Sequence, residues 1–217
     1  MSLHPESTRY LESLEPALPD YLMQIKEYGL SERVPIVSDE VGAFLQLLTS
    51  LKTPKRILEL GSGISYSTHW MLLGAPSAHL VALDCNADRV VLSRAFLAGS
   101  GFLAQVELRE QWIEEYFDRQ GAQIAESFDF IFMDSTKKDY ANLLASCYKA
   151  LAIDGLLVVD NVFYSGKVLQ PPQELTKKYS ANVAAMKAFN ANILEHPGFR
   201  AQFLALGDGL LVARKLA

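Results

Sequence analysis

Four side chains in this 217-residue sequence combine the types and spacing needed for catalysis at a cation: Asp134, Lys137, Asp160 and Asn161. Asp134 closes the apolar run "FDFIFMD" (128–134), and Asp160 and Asn161 end the run "GLLVVDN" (155–161). If these runs are neighbouring parallel strands, their C-terminal ends bring two carboxylates and an amide carbonyl within reach of one ion. All three are hard oxygen donors. They suit Mg²⁺, or another divalent cation such as Mn²⁺ or Ca²⁺, with water or substrate completing the shell. Taken singly, Asp134 reads equally well as a helix cap and Asp160–Asn161 as a turn; taken together on adjacent strands, the three favour a metal. Lys137 follows Asp134 by about one helical turn. A lysine is cationic near neutrality unless burial or a nearby cation depresses its pKa, and a bound divalent ion would be such a neighbour. That makes Lys137 the candidate general base. Lys138 reads as solvated, and Tyr140 as either a pocket wall or a core residue.

A second motif precedes these. "LELGSGISYS" (58–67) follows an apolar strand and opens a helix, so Gly61 and Gly63 let the backbone approach a ligand at a helix N-terminus. A dinucleotide fingerprint would require glycine at position 66, which holds Tyr66. The next strand, "VALD", ends in Asp84, placed to accept hydrogen bonds from ribose hydroxyls; the alternative is a helix cap, a role open also to Asn86. Loop and acid together favour a nucleoside ligand without a diphosphate, a description that S-adenosylmethionine meets.

These residues need a scaffold that gathers strand ends. Strands are expected at 56–60, 78–84, 104–109, 128–134 and 155–160, separated by helices over 65–74, 86–99, 111–121 and 138–150. Such alternation implies an α/β, Rossmann-like, doubly wound and mostly parallel sheet. A helix over about 180–195 and two strands flanking "GDG" predict a closing antiparallel hairpin. Helices at about 7–28 and 39–51 read as a cap (1–51) over the core (56–217) of a single domain spanning 1–217.

Composition narrows the function. A net charge of −5 provides no basic footprint for nucleic acid. Two cysteines, Cys85 and Cys147, make no disulfide framework. No apolar run has the length of a membrane span, and "MSLHPESTRYLESLEP" has no signal-peptide pattern, so a cytoplasmic protein without membrane partners is expected. The four histidines, His4, His69, His79 and His196, form no site.

With "ILELGSGISYS", "VALD", "FMDSTKKDY", "GLLVVDNVFYSGKV" and "LGDGLLVARK" in hand, the sequence resembles the cation-dependent class I O-methyltransferases of the catechol and caffeoyl-CoA type. The resemblance implies Asp134, Asp160 and Asn161 as cation ligands and Lys137 as base. It also implies Val37, Glu59, Gly61, Ser62, Tyr66, Ser67, Asp84 and Asp134 around S-adenosylmethionine, Tyr66 fitting that family's turn. Gln111 and Trp112 occupy the place of its adenine contact, with a core position the alternative for Trp112. Two departures stand out: Thr136 replaces a common second aspartate, and "EQWIEE" replaces a small "GDA"-like turn. The implied reaction is methylation of a vicinal-dihydroxy aromatic by a homodimeric enzyme. The rivals are an NAD(P)-dependent oxidoreductase, a phosphoacceptor domain and a non-catalytic cofactor-binding module. The phosphoacceptor would need its acidic pair where this chain has the glycine loop.

Overall fold

Period-two burial organises the molecule. In the computed structural model, which describes residues 6, 10, 13, 14, 17–137 and 140–216, the apolar strands alternate their side chains between two helical layers. Strand β1 (Arg56–Leu60) sends Leu58 and Leu60 to one layer and Ile57 to the other. Strand β4 (Phe128–Met133) splits Ile131 and Met133 from Phe130 and Phe132 in the same way.

The layer over Ile57, Phe130 and Phe132 comprises α1 (Asp20–Ser31), α2 (Asp39–Lys52), α3 (Tyr66–Gly74) and α4 (Ala87–Ser100). The opposite layer comprises α5 (Ile113–Gln120), α6 (Tyr140–Ala150) and α7 (Lys177–Glu195), with Tyr116, Tyr140, Cys147, Met186, Phe189 and Ile193 buried against the sheet. Local signals set several boundaries. Ser38 caps α2 through the Val41 N–H at 3.4 Å, and Asn86 caps α4 through the Arg89 N–H at 3.0 Å. Pro19 opens α1. The described residues 6, 10 and 13 ahead of it are helical too, so the helix expected over about 7–28 is interrupted at 17–19.

The remaining strands are β2 (His79–Asp84), β3 (Val106–Glu110), β5 (Leu151–Val159), β6 (Phe199–Leu204) and β7 (Leu210–Lys215). Seven strands run in the order β3-β2-β1-β4-β5-β7-β6, parallel except where β7 pairs antiparallel with β5 and β6. Two strand starts differ from expectation by more than one residue. Strand β5 starts at Leu151 rather than 155, because a register shift between Phe128 and Phe130 accommodates the extra residues. Strand β3 starts at Val106, the preceding 103–105 forming a short 3₁₀ turn. Among the described residues no helix is long and apolar enough to cross a membrane.

Strand order reverses between β1 and β4, since the chain builds outward from β1 to β3 and then returns to the other side. A crevice opens at such a switch point, beyond the C-terminal strand ends. The backbone closes its floor: Gly61 N–H donates to Leu83 O at 2.9 Å, and Asp134 N–H to Leu60 O at 3.0 Å.

Candidate active site

The glycine loop leaves β1 at this switch point and is held from beneath. Glu59, fully buried, accepts from the Ser67 and Thr68 hydroxyls, each at 2.5 Å, and so ties β1 to the first turn of α3. Burial pushes its carboxyl up to about 7, the nearby charges of Asp134 and Asp84 adding to the rise and the two hydroxyls opposing it. Gly61 has φ +93°, and a Cβ there would lie 2.1 Å from Asp134 O. Only glycine lets the loop pass so close to the end of β4.

Asp84 is no helix cap; Asn86 has that role. The two oxygens of Asp84 take the Gly63 N–H and the Asn86 N–H, each at 2.9 Å, which leaves each oxygen a lone pair for a further donor. Tyr66 turns away from the crevice. It is buried, packs edge-on to Trp70, and donates its hydroxyl to Asp39 at 2.8 Å, while the other oxygen of Asp39 pairs with Lys26.

Beyond β4, the chain brings the predicted chemical residues together. Lys137 Nζ donates to Asn161 Oδ1 at 2.7 Å, to the Tyr140 hydroxyl at 2.8 Å and to Asp134 Oδ1 at 2.9 Å. Asp134 and Asn161 thus point oxygens at one positive charge, Asn161 from 24 residues beyond Lys137. Asp160 lies deeper, 2 % exposed, with Oδ1 accepting the Asn161 N–H at 2.7 Å. Burial and the neighbouring charge of Asp134 push its carboxyl up to about 7. Burial likewise holds the Tyr140 phenol well above its usual range. Asn161 itself sits at φ +57°, a conformation concentrated at functional sites. Lys138 lies outside the described residues.

A cavity of about 580 Å³ joins these parts. Of the residues singled out in the sequence, Gly61, Gly63, Asp84, Gln111, Trp112, Asp134, Lys137 and Asn161 line it. Val37, Glu59, Ser62, Tyr66, Ser67 and Asp160 are buried and stand outside the lining. Trp112 is no core residue: 59 % exposed, it forms part of the rim. His69, on α3, bonds to Ser65 O and Ser100 Oγ and ties α3 to the end of α4, a structural place.

Sequence reasoning missed three parts of the wall. Pro35 and Ile36 come from the link between α1 and α2. Tyr164 and Ser165 come from the turn after β5, where both adopt positive φ. Asp208, seen in sequence only as the middle of a hairpin turn, accepts the Ser165 N–H with both oxygens, at 2.8 and 2.6 Å, and so props that turn. The signal available for Tyr164 was its place directly after "VDNVF"; nothing local marked Asp208 as reaching the site.

The donor set fits a hard divalent cation. Two carboxylates and an amide carbonyl supply oxygen alone, and two of their oxygens, on Asp134 and Asn161, already converge on an ammonium. Among the described residues no cluster of three or more His, Cys, Asp or Glu side chains is placed to hold a metal ion.

Residues 13–216 match the model of a family described as O-methyltransferase. A catechol O-methyltransferase from Niastella koreensis is 31% identical over 170 residues, covering 76% of this chain and 77% of that protein. Caffeoyl-CoA O-methyltransferase 1 from Eucalyptus globulus is 26% identical over 220 residues, covering 94% and 85%. The crystal structure of an O-methyltransferase from Bacillus cereus in complex with SAH superposes with a TM-score of 0.84 over 97% of both chains; at 22% identity this is a likeness of fold.

Proposed function

Because the chain belongs to the O-methyltransferase family, we propose that it moves the methyl group of S-adenosylmethionine to one hydroxyl of a vicinal-dihydroxy aromatic, with a divalent cation such as Mg²⁺ held by Asp134, Asp160 and Asn161. The observation that carries this reading is the convergence of Asp134 Oδ1 and Asn161 Oδ1 on the Lys137 ammonium, at 2.9 and 2.7 Å, within the same cavity as the glycine loop. The names of the curated relatives, a catechol and a caffeoyl-CoA O-methyltransferase, point to the same acceptor class.

The division of labour follows from the walls. Gly61, Gly63 and Asp84 present backbone and carboxylate at the cofactor end, where Asp84 is placed to accept from ribose hydroxyls. Gln111 and Trp112 flank that end and are assigned to the adenine side. Lys137 Nζ, once it has lost a proton to solvent and is a neutral amine, would take the proton of the reacting hydroxyl and return to an ammonium. A bound divalent ion supplies positive charge that favours ionisation of an acceptor oxygen. Tyr164, Ser165 and Thr136 line the acceptor end, and the loop position of the first two suits them to specificity. Most of the acceleration is assigned to holding oxygen, methyl and sulfur in line.

The dinucleotide alternative is not favoured, since Tyr66 fills the position of the third glycine and is committed to Asp39. The test is methyl transfer from S-adenosylmethionine to a panel of catechols, with Mg²⁺ and with a chelator. Methylation abolished by the chelator supports both parts of the reading. Methylation indifferent to it removes the cation, and absence of cofactor binding removes the reading altogether. The homodimer belongs to the same proposal and is checked by light scattering.

A further inference from the structure

Lys137 has three acceptors, and two of them, Asp134 and Asn161, are oxygens assigned above to a cation. The third is the hydroxyl of Tyr140, at 2.8 Å, for which no cation competes. Tyr140 is fully buried and is no part of the cavity wall. Its hydroxyl is fully committed: it accepts from Lys137 Nζ and from the Ser135 N–H at 3.3 Å, and donates its own proton to Asp160 O at 3.3 Å. A phenol has one proton to give, so with that proton engaged by a backbone carbonyl it meets Lys137 as an acceptor.

We propose that Tyr140 is the positioning residue for Lys137, anchoring one N–H of the amine from behind so that the other positions on nitrogen face the cavity. The proposal rests on the methyltransferase reading above and concerns how its base is held. The same hydroxyl bridges Ser135, just past β4, to Asp160, just past β5, and so sets Lys137 relative to both strand ends. Phe189 packs edge-on against the Tyr140 ring at 5.6 Å and holds it in place. Of the alternatives left open by the sequence, pocket wall or core residue, Tyr140 is the core residue, and the polar edge of that core meets the base.

Tyr140→Phe tests this, because it keeps the ring and its packing and removes only the hydroxyl. The expected result is a fall in kcat on the order of 10–100-fold, the scale of a misplaced reacting group. The KM for catechol and the calorimetric affinity for S-adenosylmethionine should hold at their parent values. A readout independent of turnover is a pulse of acetic anhydride on the protein free of metal and cofactor, quantified by peptide mass spectrometry. Lys137 should label faster in the variant, relative to exposed Lys187 in the same chain. An unchanged kcat overturns the proposal whatever the labelling shows, as does unchanged labelling of Lys137. A kcat loss matched by an equal loss of cofactor affinity also overturns it, since the whole site has then moved. A parent chain inert in methyl transfer overturns the reading underneath.

Discussion

Replacing Glu59 by glutamine should make the protein more stable above neutral pH and less stable in acid. Glu59 is fully buried on β1, and burial pushes its carboxyl from the ordinary 4.5 to about 7. That rise amounts to about 3 kcal/mol against the ionised form in the native state. The sign follows from proton binding. Between 4.5 and about 7 the folded protein holds the Glu59 proton more tightly than the unfolded chain does, so stability falls as pH rises through that window. The contribution is fully present below the unfolded value, is lost by about pH 7, and is flat above it.

Glutamine carries no charge at any pH, but its amide group must donate where Ser67 and Thr68 now both donate to the carboxylate. Protonated Glu59 already carries one donor and turns one hydroxyl; glutamine adds a second N–H that the site must accommodate, at about 1 kcal/mol. The net expectation for Glu59→Gln is about 2 kcal/mol of added stability at pH 8 and about 1 kcal/mol of loss near pH 4.5, with a crossing near pH 5. Urea unfolding followed by circular dichroism from pH 4.5 to 8.5, without cofactor or metal, measures both chains. Asp160, also raised to about 7, is common to both and cancels in the difference. Two stability curves separated by a constant offset through the window would refute the reasoning, because Glu59 would then titrate as it does in the unfolded chain.

Gly61→Ala puts a methyl 2.1 Å from Asp134 O at φ +93°; we expect a loss on the order of 2 kcal/mol in urea unfolding, together with at least about tenfold weaker S-adenosylmethionine binding by calorimetry. A variant that binds the cofactor like the parent would show that the loop can retreat from β4. Lys137→Ala should lower kcat by about 10²–10⁴-fold while cofactor affinity persists, and a small change in kcat would remove Lys137 from the proton transfer. Asp160→Ala should shift the Mg²⁺ titration of activity to higher concentration, and an unmoved titration would take Asp160 out of the cation's donor set.

Much of this was readable before any coordinates. The five parallel strands fall within a few residues of their expected places, because apolar runs bounded by turn formers are a local signal. The closing hairpin follows from "GDG" and two flanking apolar runs. Asp134, Lys137 and Asn161 were legible as a group, since each stands at or just beyond a strand end whose neighbour the topology dictates. Less was legible where the partner is remote. Tyr66 was placed beside the cofactor because it fits a turn of the family the sequence resembles; that its hydroxyl finds Asp39 on α2, 27 residues away, is marked by no local pattern. Trp112 could have been core or rim, and burial alone separates them.

The sequence by itself therefore determined the elements, their order, the parallel sheet with its antiparallel end, and the oxygen-rich chemistry at the strand ends, because period, turn residues and side-chain type are properties of short stretches. Only the tertiary structure decided which lone pairs meet which protons. Asp208 reaches Ser165 across 43 residues, Lys137 reaches Asn161 across 24, and Tyr140 faces the base instead of the cavity. Each of those pairings depends on strand register and helix packing to within about an ångström, the tolerance of a hydrogen bond, and no local pattern of residues carries distance to that precision.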